Sequence, residues 1–587
     1  MGFFSRPLIA LATKLDHKYG WSRLPLPIGL FALEYMRKRL RDENLYDTGL
    51  VKKPPPPPPD VSARTIDGSY NDLELPAMGS VGTRFGRNVP RKRTFSDSDR
   101  ELLEPNPRVV SRELLTRERF IPATNLNVLA AAWIQFEVHD WFSHQPDEQA
   151  PAFELPLADD DPWPQRPMRI QRTQRDADSD DEAHPTFLTY DSHWWDASQI
   201  YGSNEDLANR LRAHEDGKLK LDEHKLPPRE LESHVDLRGV AGNFWVGLGL
   251  LHTLFMREHN AICDRLRREY PTWSDDGLYD HARLINAAVM AKIHTVEWTP
   301  AIIAHRTTVK GMHANWYGMV GERFTKRFGR IGRGEVLSGI PGSPTNHHGV
   351  PYSLTEEFVA VYRMHPLLPD EFTFRSAKDD AFMARYDFPD LDVRKTRTRL
   401  EELGVANGLY SFGIANPGAI TLHNYPRFLQ ELHRADGTTI DLAATDIMRI
   451  RERGVPRYTA FRELFHRKPV RSFEELTQDA AKADELRRVY GDLDRLDLMI
   501  GLYSEPLPEG FGFSDTTFRV FVLMASRRLK SDRFFTSDYT PAVYTEVGLD
   551  WINETTMTSV LRRHYPELGH VLSGVENAFK PWPRARS

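Results

Sequence analysis

Tyr362 and His365 stand three residues apart in SLTEEFVAVYRMHPLLPD. Ser353 and Glu356 have the spacing of a capping box, so a helix is predicted to start near residue 354. Pro366 disfavours helical geometry in the residue before it, so this helix should end or kink at His365. The two side chains then share one side of the helix. A histidine held at a helix end makes a good axial ligand, and a tyrosine one turn away would sit near the edge of a bound macrocycle. Gln135 and His139 in WIQFEVHDWF are four apart and also share a helical face, which could present an amide and an imidazole to a peroxide. Asp140 is turned about 100° away and must serve something else.

Further along, YDSHWWDASQIYG offers oxygens from Ser192, Asp196 and Ser198, with backbone carbonyls between them. Oxygen-only ligation suits calcium, and Asp140 could add a carboxylate, although the spacing is not that of an EF-hand loop. His294 and Thr299 lie in AKIHTVEWTP. Phe521, Met524 and Arg528 fall on one helical face, and an arginine ending an apolar stripe suits the carboxylate of a fatty acid. Each pattern also has a plain structural account: a histidine bonded to a carbonyl, core packing, a hydrogen-bonded turn, an arginine paired with an acid elsewhere. Residue types and spacing leave these alternatives open for each motif taken singly.

The elements that must position these groups are mainly helical. NLNVLAAAWIQFEVHDWF, NFWVGLGLLHTLFMREHNAICDRL, YDHARLINAAVMAKIHTVEW and TTFRVFVLMASRRLK all carry apolar residues at helical spacing. Strand-like alternation is scarce, so a mainly α fold with long irregular connections is predicted. Residues 1–60 read as N-terminal helices followed by a polyproline spacer at Pro54–Pro59, 61–120 as an extended arm, and 121–587 as the body. Ala158–His184, with its run DADSDDEAH, reads as a surface loop. The short N-terminal apolar stretch is broken by Lys14 and Asp16, so it reads neither as a signal peptide nor as a span. It suits a helix docked on the body, or an amphipathic one giving peripheral membrane contact.

The 587 residues carry a net charge of −6, with 77 basic and 83 acidic side chains interspersed, which sets nucleic-acid binding aside. The single cysteine, Cys263, excludes an internal disulfide and any Cys-built metal cluster. With no membrane-spanning run, the chain is expected to be cytoplasmic or peripheral.

LHTLFMREHNAICDRL and MRIRERGVPRYTAFREL resemble signatures of the peroxidase–cyclooxygenase haem superfamily. HDW at 139, WWDASQIYGSN at 194, KIHTVEWT at 292, NHHGVPYSLTEEFVAVYRMHPLLPD at 346 and ASRRLKSDRFFTSDY at 525 are more specifically similar to the fatty-acid α-dioxygenases of plants, across nearly the whole chain. The resemblance implies a haem peroxidase-like helical core in which His365 is the proximal iron ligand and Asn424, in LHNYP, bonds its other nitrogen. It implies His139 as the distal histidine with Gln135 beside it, and Tyr362 as the radical-carrying residue. His294, Thr299 and Arg528 would hold the substrate carboxylate; Asp140, Ser192, Trp194 through its carbonyl, Asp196 and Ser198 would bind calcium.

Members that link haem through esters carry an acid immediately before the distal histidine, where this chain has Val138, and another near residues 243–247, which contain none. Haem b is therefore expected to be non-covalent. In the second stretch the plant enzymes carry an arginine where Gly242 aligns. The implied reaction takes a long-chain fatty acid, O2 and a peroxide activator to a 2-hydroperoxy fatty acid. The alternative is a general haem peroxidase acting on small phenols, which needs His139 and His365 but has no use for Tyr362 or a carboxylate clamp.

Overall fold

Two long helices, Val246–Glu269 and Asp275–Ile293, pack against each other at the centre of the molecule. The second begins at Ser274, whose side chain accepts from Gly277 N, and carries Asp275 and Asp276 in its first turn, where the helix dipole favours negative charge. Leu250, Leu251, Leu254 and Phe255 of the first are fully buried, as the periodic apolar pattern requires. This is a computed structural model, and it describes residues 5–49, 52–230, 235–240, 242, 244–434 and 437–586. Residues 1–4 of the N-terminal stretch, and Asn243, lie outside them.

The distal helix Val128–Val138 crosses the first central helix. Asn127 caps it by accepting from Ala130 N at 3.1 Å. It is apolar on nearly every side, the mark of an interior helix. The clamp helix Asp515–Ser531, capped by Ser514, is almost entirely buried and ends in Arg527, Arg528 and Lys530. Among the described residues the only sheets are two-stranded antiparallel ones, so the fold is mainly α. One buried apolar cluster draws on residues from Trp21 to Ala585, the N-terminal helices and the arm included.

Buried ion pairs fasten the arm to the body: Arg64–Asp532 at 2.9 Å, Arg84–Asp176 at 2.6 Å and Arg108–Asp441 at 2.8 Å. Asp161 and Asp176 belong to the stretch read as a surface loop. They are buried, and Met168–Ile170 within that stretch pairs in register with Phe153–Leu155. Arginines of the arm, unseen as partners in a local reading, draw those acids inward. The proline run has no regular secondary structure.

A second expectation is corrected next to the candidate ligand. The proximal helix spans Glu356–Val361 and is capped by Thr355, whose side chain accepts from Phe358 N at 3.2 Å, and not by Ser353. Tyr362, at φ −88° and ψ 15°, already leaves the helix, and His365 opens a separate 3-10 turn with Pro366. Tyr362 and His365 therefore flank a break in the chain. The break aims the two side chains by loop geometry, with no shared helical face.

Candidate active site

His365 keeps part of its surface, as do His139 and Gln135, while Trp133 and Phe136 beside them are fully buried. Partial exposure of polar groups amid a packed core is what the lining of an internal crevice requires. Nδ1 of His365 lies 2.8 Å from Oδ2 of Asp446, in ion-pair contact without the alignment of a straight hydrogen bond. Asp446 comes from the helix Leu442–Glu452 and is also held by Arg363 at 3.2 Å and by the Tyr425 hydroxyl at 3.1 Å. Burial pushes its carboxyl up, but Arg363 and His365 outweigh that and hold it below the usual range. The carboxylate is thus ionised beside the candidate ligand.

Asn424 does not take this position. Its oxygen accepts from Arg117 Nε at 2.9 Å and from Ile121 N at 3.0 Å. Its amide nitrogen donates to the carbonyls of Ile121 and Ala419 at 2.9 and 2.7 Å. Those bonds exhaust a side-chain amide. Asn424 ties Arg117 and Ile121 to the loop at Ala419, and Asp446 is the group at the histidine.

His139 closes the distal helix, with Nε2 3.1 Å from the Gly242 carbonyl and Nδ1 without a partner. Burial, aided by Arg238, lowers its pKa to about 4, so the ring is neutral and able to take a proton. Gln135 is anchored by Trp245, whose indole N–H donates to Oε1 at 2.7 Å.

Tyr362, Arg528 and His294 come from three elements and meet around one indole. The Trp141 ring lies 5.7 Å from the Tyr362 ring, 6.4 Å from His294, and 3.8 Å beneath the Arg528 guanidinium. The Tyr362 hydroxyl is buried without a partner, and burial raises its pKa well above the usual value, so the phenol keeps its proton. Arg528 is 1% exposed, its Nη2 donates to the Trp194 carbonyl at 3.0 Å, and its Nε and Nη1 have no partner. No carboxylate among the described residues comes within 4 Å of it. A buried cation without a counterion costs several kcal/mol, roughly, so the site is arranged for an anion that arrives from outside.

His294 opens a π turn, His294–Trp298, of the kind often found at functional sites. Trp133 donates to its Nδ1 at 3.2 Å, which leaves Nε2 as the N–H of the neutral tautomer. Burial and then Arg528 lower its pKa to about 3. Thr299 is buried, and its hydroxyl is spent on the His294 carbonyl at 2.8 Å, bracing the turn.

At the proposed calcium residues, Asp140 accepts from Ser198 Oγ at 2.5 Å, and Ser192 accepts from Trp194 N at 3.1 Å. Asp140 Oδ1 and Asp196 Oδ2 are buried without hydrogen bonds, although Arg283 stands 3.8 Å from the latter. The Trp194 carbonyl, expected to face a metal, accepts from Arg528. No cluster of three or more His, Cys, Asp or Glu side chains that could hold a metal occurs among the described residues. What the site offers is two carboxylates, hydroxyls and carbonyls, an oxygen set that fits calcium if any metal.

The sequence reading missed Asp446, Trp141 and Glu137. Asp446 stands just before the quoted MRIRERGVPRY block, and Trp141 within HDW; neither has a periodicity that marks it. Glu137 accepts from Trp195 Nε1 at 2.8 Å, and its other oxygen is orphaned.

A helical core with a partly exposed histidine–carboxylate pair, and a second partly exposed histidine closing a buried helix, has the make-up of a haem peroxidase. The profile of the animal haem peroxidase family matches residues 63–576, and the chain belongs to that family, whose cofactor is haem. Within it the chain is one of the α-dioxygenases. It is 40% identical to the α-dioxygenase PIOX of Pisum sativum, over 98% of this chain and 91% of that protein. It is 38% identical to its Oryza sativa counterpart, over 99% and 96%. A crystal structure of a variant Oryza sativa fatty acid α-dioxygenase with palmitic acid has a TM-score of 0.92 to this fold at 36% identity, covering 99% of this chain and 97% of that one.

Proposed function

We infer that the protein is a haem-dependent fatty-acid α-dioxygenase, which adds O2 at carbon 2 of long-chain fatty acids to give 2-hydroperoxy acids. The observation that carries this reading is the Arg528 guanidinium, without a carboxylate partner and stacked 3.8 Å over the Trp141 ring, whose centroid is 5.7 Å from that of the Tyr362 ring with its orphaned hydroxyl. A phenol-oxidising peroxidase has no use for that cation, whereas a fatty-acid carboxylate supplies its missing partner. Palmitic acid in a solved relative supports the substrate class.

Haem held by His365 would supply, once activated by peroxide, the oxidant that takes one electron and the phenolic proton from Tyr362. His139, neutral and with Nδ1 open, moves the proton between the oxygens of the peroxide. Arg528 and the Nε2 hydrogen of His294 hold the carboxylate, while Thr299 keeps the π turn in place. Fixing the carboxylate is what brings carbon 2 to the phenoxyl oxygen; regiochemistry is a positioning effect. The Tyr362 radical takes a hydrogen atom from carbon 2 and becomes the phenol again. O2 adds to the carbon radical, and the peroxyl group recovers a hydrogen atom from Tyr362. Trp141, Phe358 and Phe521 surround that ring and keep water from it.

Two finer readings accompany this one. Haem b is non-covalent, since Val138 stands where an ester acid would; acidified butanone should extract it. Calcium binds at Asp140, Ser192, Asp196 and Ser198, supported by the two orphaned carboxylate oxygens. The main reading is tested by incubation with palmitate, peroxide and labelled O2: mass spectrometry should find both oxygen atoms on carbon 2. Dye oxidation with unlabelled palmitate would leave the general peroxidase.

A further inference from the structure

Scattered apolar side chains on a surface need no explanation. Residues 318–339 are a different case, because the chain is firmly built there and still turns apolar groups outward. Met319 N–H donates to the Val336 carbonyl at 2.9 Å and Val320 N–H to that of Leu337 at 3.3 Å, closing the excursion on itself. Its neck admits no side chain. A Cβ on Gly318 would lie 1.9 Å from the Leu337 carbonyl oxygen, and one on Gly339 2.0 Å from that of Trp316, both glycines having positive φ. Inside the excursion, Arg330 donates to the carbonyls of Ser338 and Gly339 at 3.1 and 2.8 Å, and Ile331 N–H to Ser338 Oγ at 2.7 Å.

On the outside, Phe328 is 65% exposed, and Ile331, Val336 and Leu337 are exposed with it. Arg323, Arg327 and Arg333 are exposed around them, and none is within ion-pair distance of a carboxylate among the described residues. This unneutralised basic group sits on a chain whose net charge is −6. Met319 and Val336 also line an open apolar groove of ≈ 710 Å³, shared with Leu30 and Phe31 of the helix Leu26–Glu43. Phe518 and Val522 of the clamp helix form its inner wall. Phe521 and Arg528 of the active site belong to that same helix.

We propose that residues 318–339 are a docking surface for an anionic phospholipid bilayer. Phe328 and Ile331 enter the acyl region, and Arg323, Arg327 and Arg333 lie at the phosphates. Insertion explains exposed apolar groups on an ordered support, and the unpaired arginines select the sign of the surface. Docking sets the mouth of the groove against the bilayer. This purpose rests on the fatty-acid reading above, since such a substrate partitions into lipid; the surface itself does not depend on that reading.

The experiment is co-sedimentation of the full-length haem-loaded protein with phosphatidylcholine vesicles, with and without phosphatidylglycerol. Wild type should sediment with the phosphatidylglycerol vesicles and less so as salt is raised. F328D/I331D and, separately, R323E/R327E/R333E should each lower that partition about tenfold or more. F382D is the control: Phe382 is 61% exposed on a hairpin elsewhere, and its loss should leave partition unchanged. All variants should keep the wild-type thermal transition, because none of the altered side chains is buried. F328D/I331D should oxygenate detergent-dispersed palmitate at the wild-type rate but lag on palmitate carried in vesicles.

A wild type that ignores phosphatidylglycerol vesicles overturns the proposal and leaves a protein partner as the occupant. Unchanged partition of F328D/I331D, or an equal loss in F382D, also overturns it. If wild type sediments as expected yet oxygenates no dispersed palmitate, the function has failed and the docking surface stands.

Discussion

Asp446 holds a carboxylate oxygen 2.8 Å from Nδ1 of His365, and Arg363 keeps that carboxylate ionised. An anion at this nitrogen lends electron density to the ring and makes the opposite nitrogen a stronger donor to iron. Asp446→Asn keeps the shape and removes the charge. The variant should still load haem, and its iron reduction potential should move upward in a spectroelectrochemical titration. Asp446→Leu, which can bond to nothing, should load haem poorly. An unchanged potential in the asparagine variant would mean that the carboxylate does not tune the ligand.

Tyr362→Phe removes only a hydroxyl that has no partner in the fold. Thermal stability, the haem spectrum and the reaction with peroxide should be retained. Oxygenation of palmitate should fall below detection. A variant that oxygenates palmitate at the wild-type rate rules out Tyr362 as the hydrogen-abstracting group.

Arg528→Met should separate affinity from stability. A charged hydrogen bond to a carboxylate contributes about 1.5 to 3 kcal/mol, so palmitate affinity should drop roughly tenfold to a hundredfold. The same change removes a buried charge with two unpaired nitrogens, and apolar replacement of such groups is often neutral or stabilising. The melting temperature without substrate should therefore hold or rise. A large fall would reveal a structural arginine.

Glu137 gives the protein a pH signature. Burial, opposed by Trp195 and Arg528, pushes its carboxyl up from 4.5 to about 7. The folded state thus binds a proton that the unfolded state releases near pH 4.5. The resulting stability, about 3 kcal/mol, is complete below pH 4.5 and disappears as pH rises through 7. Glu137→Gln still accepts from Trp195 and should flatten denaturant-measured stability across that window. A slope that persists would place its origin in other groups.

Calcium should raise the melting temperature of chelator-treated protein, and Asp196→Ala should abolish the rise while lowering haem occupancy. Both follow if the ion joins the loop at Asp196 to Asp140, one residue after the distal histidine. Active protein free of calcium by elemental analysis would exclude the ion.

Much of this could be read from the sequence because the long helices announce themselves through apolar spacing and the motifs are contiguous. His365, Tyr362, His139 and Arg528 stand out as candidates because they lie in contiguous motifs that resemble the family, while spacing alone leaves their roles open. Asp446 does not, because it reaches its partner from a separate helix and only the fold brings them together. Asn424 was misplaced because the group that uses it, Arg117, sits in an arm without pattern. The proximal helix starts at Glu356 and not near 354 because Thr355, two residues after Ser353, is the cap, and spacing cannot choose between the two hydroxyls. The meeting of Tyr362, His294 and Arg528 at Trp141 is likewise a tertiary fact.

The π turn at His294–Trp298 makes the carboxylate site sensitive to chain length as well as to side-chain identity. A π turn is an α-helix that has absorbed one residue too many. Deleting a single residue between His294 and Thr299 would let the segment relax into regular helix, with every catalytic side chain still present. The deletion would also rotate whatever follows by about 100° relative to what precedes it, turning Thr299 and the helical turn beyond it out of their present packing. The geometry of this turn is encoded partly as a count of residues, so a one-codon deletion at this point should lower palmitate affinity at least as far as Arg528→Met does.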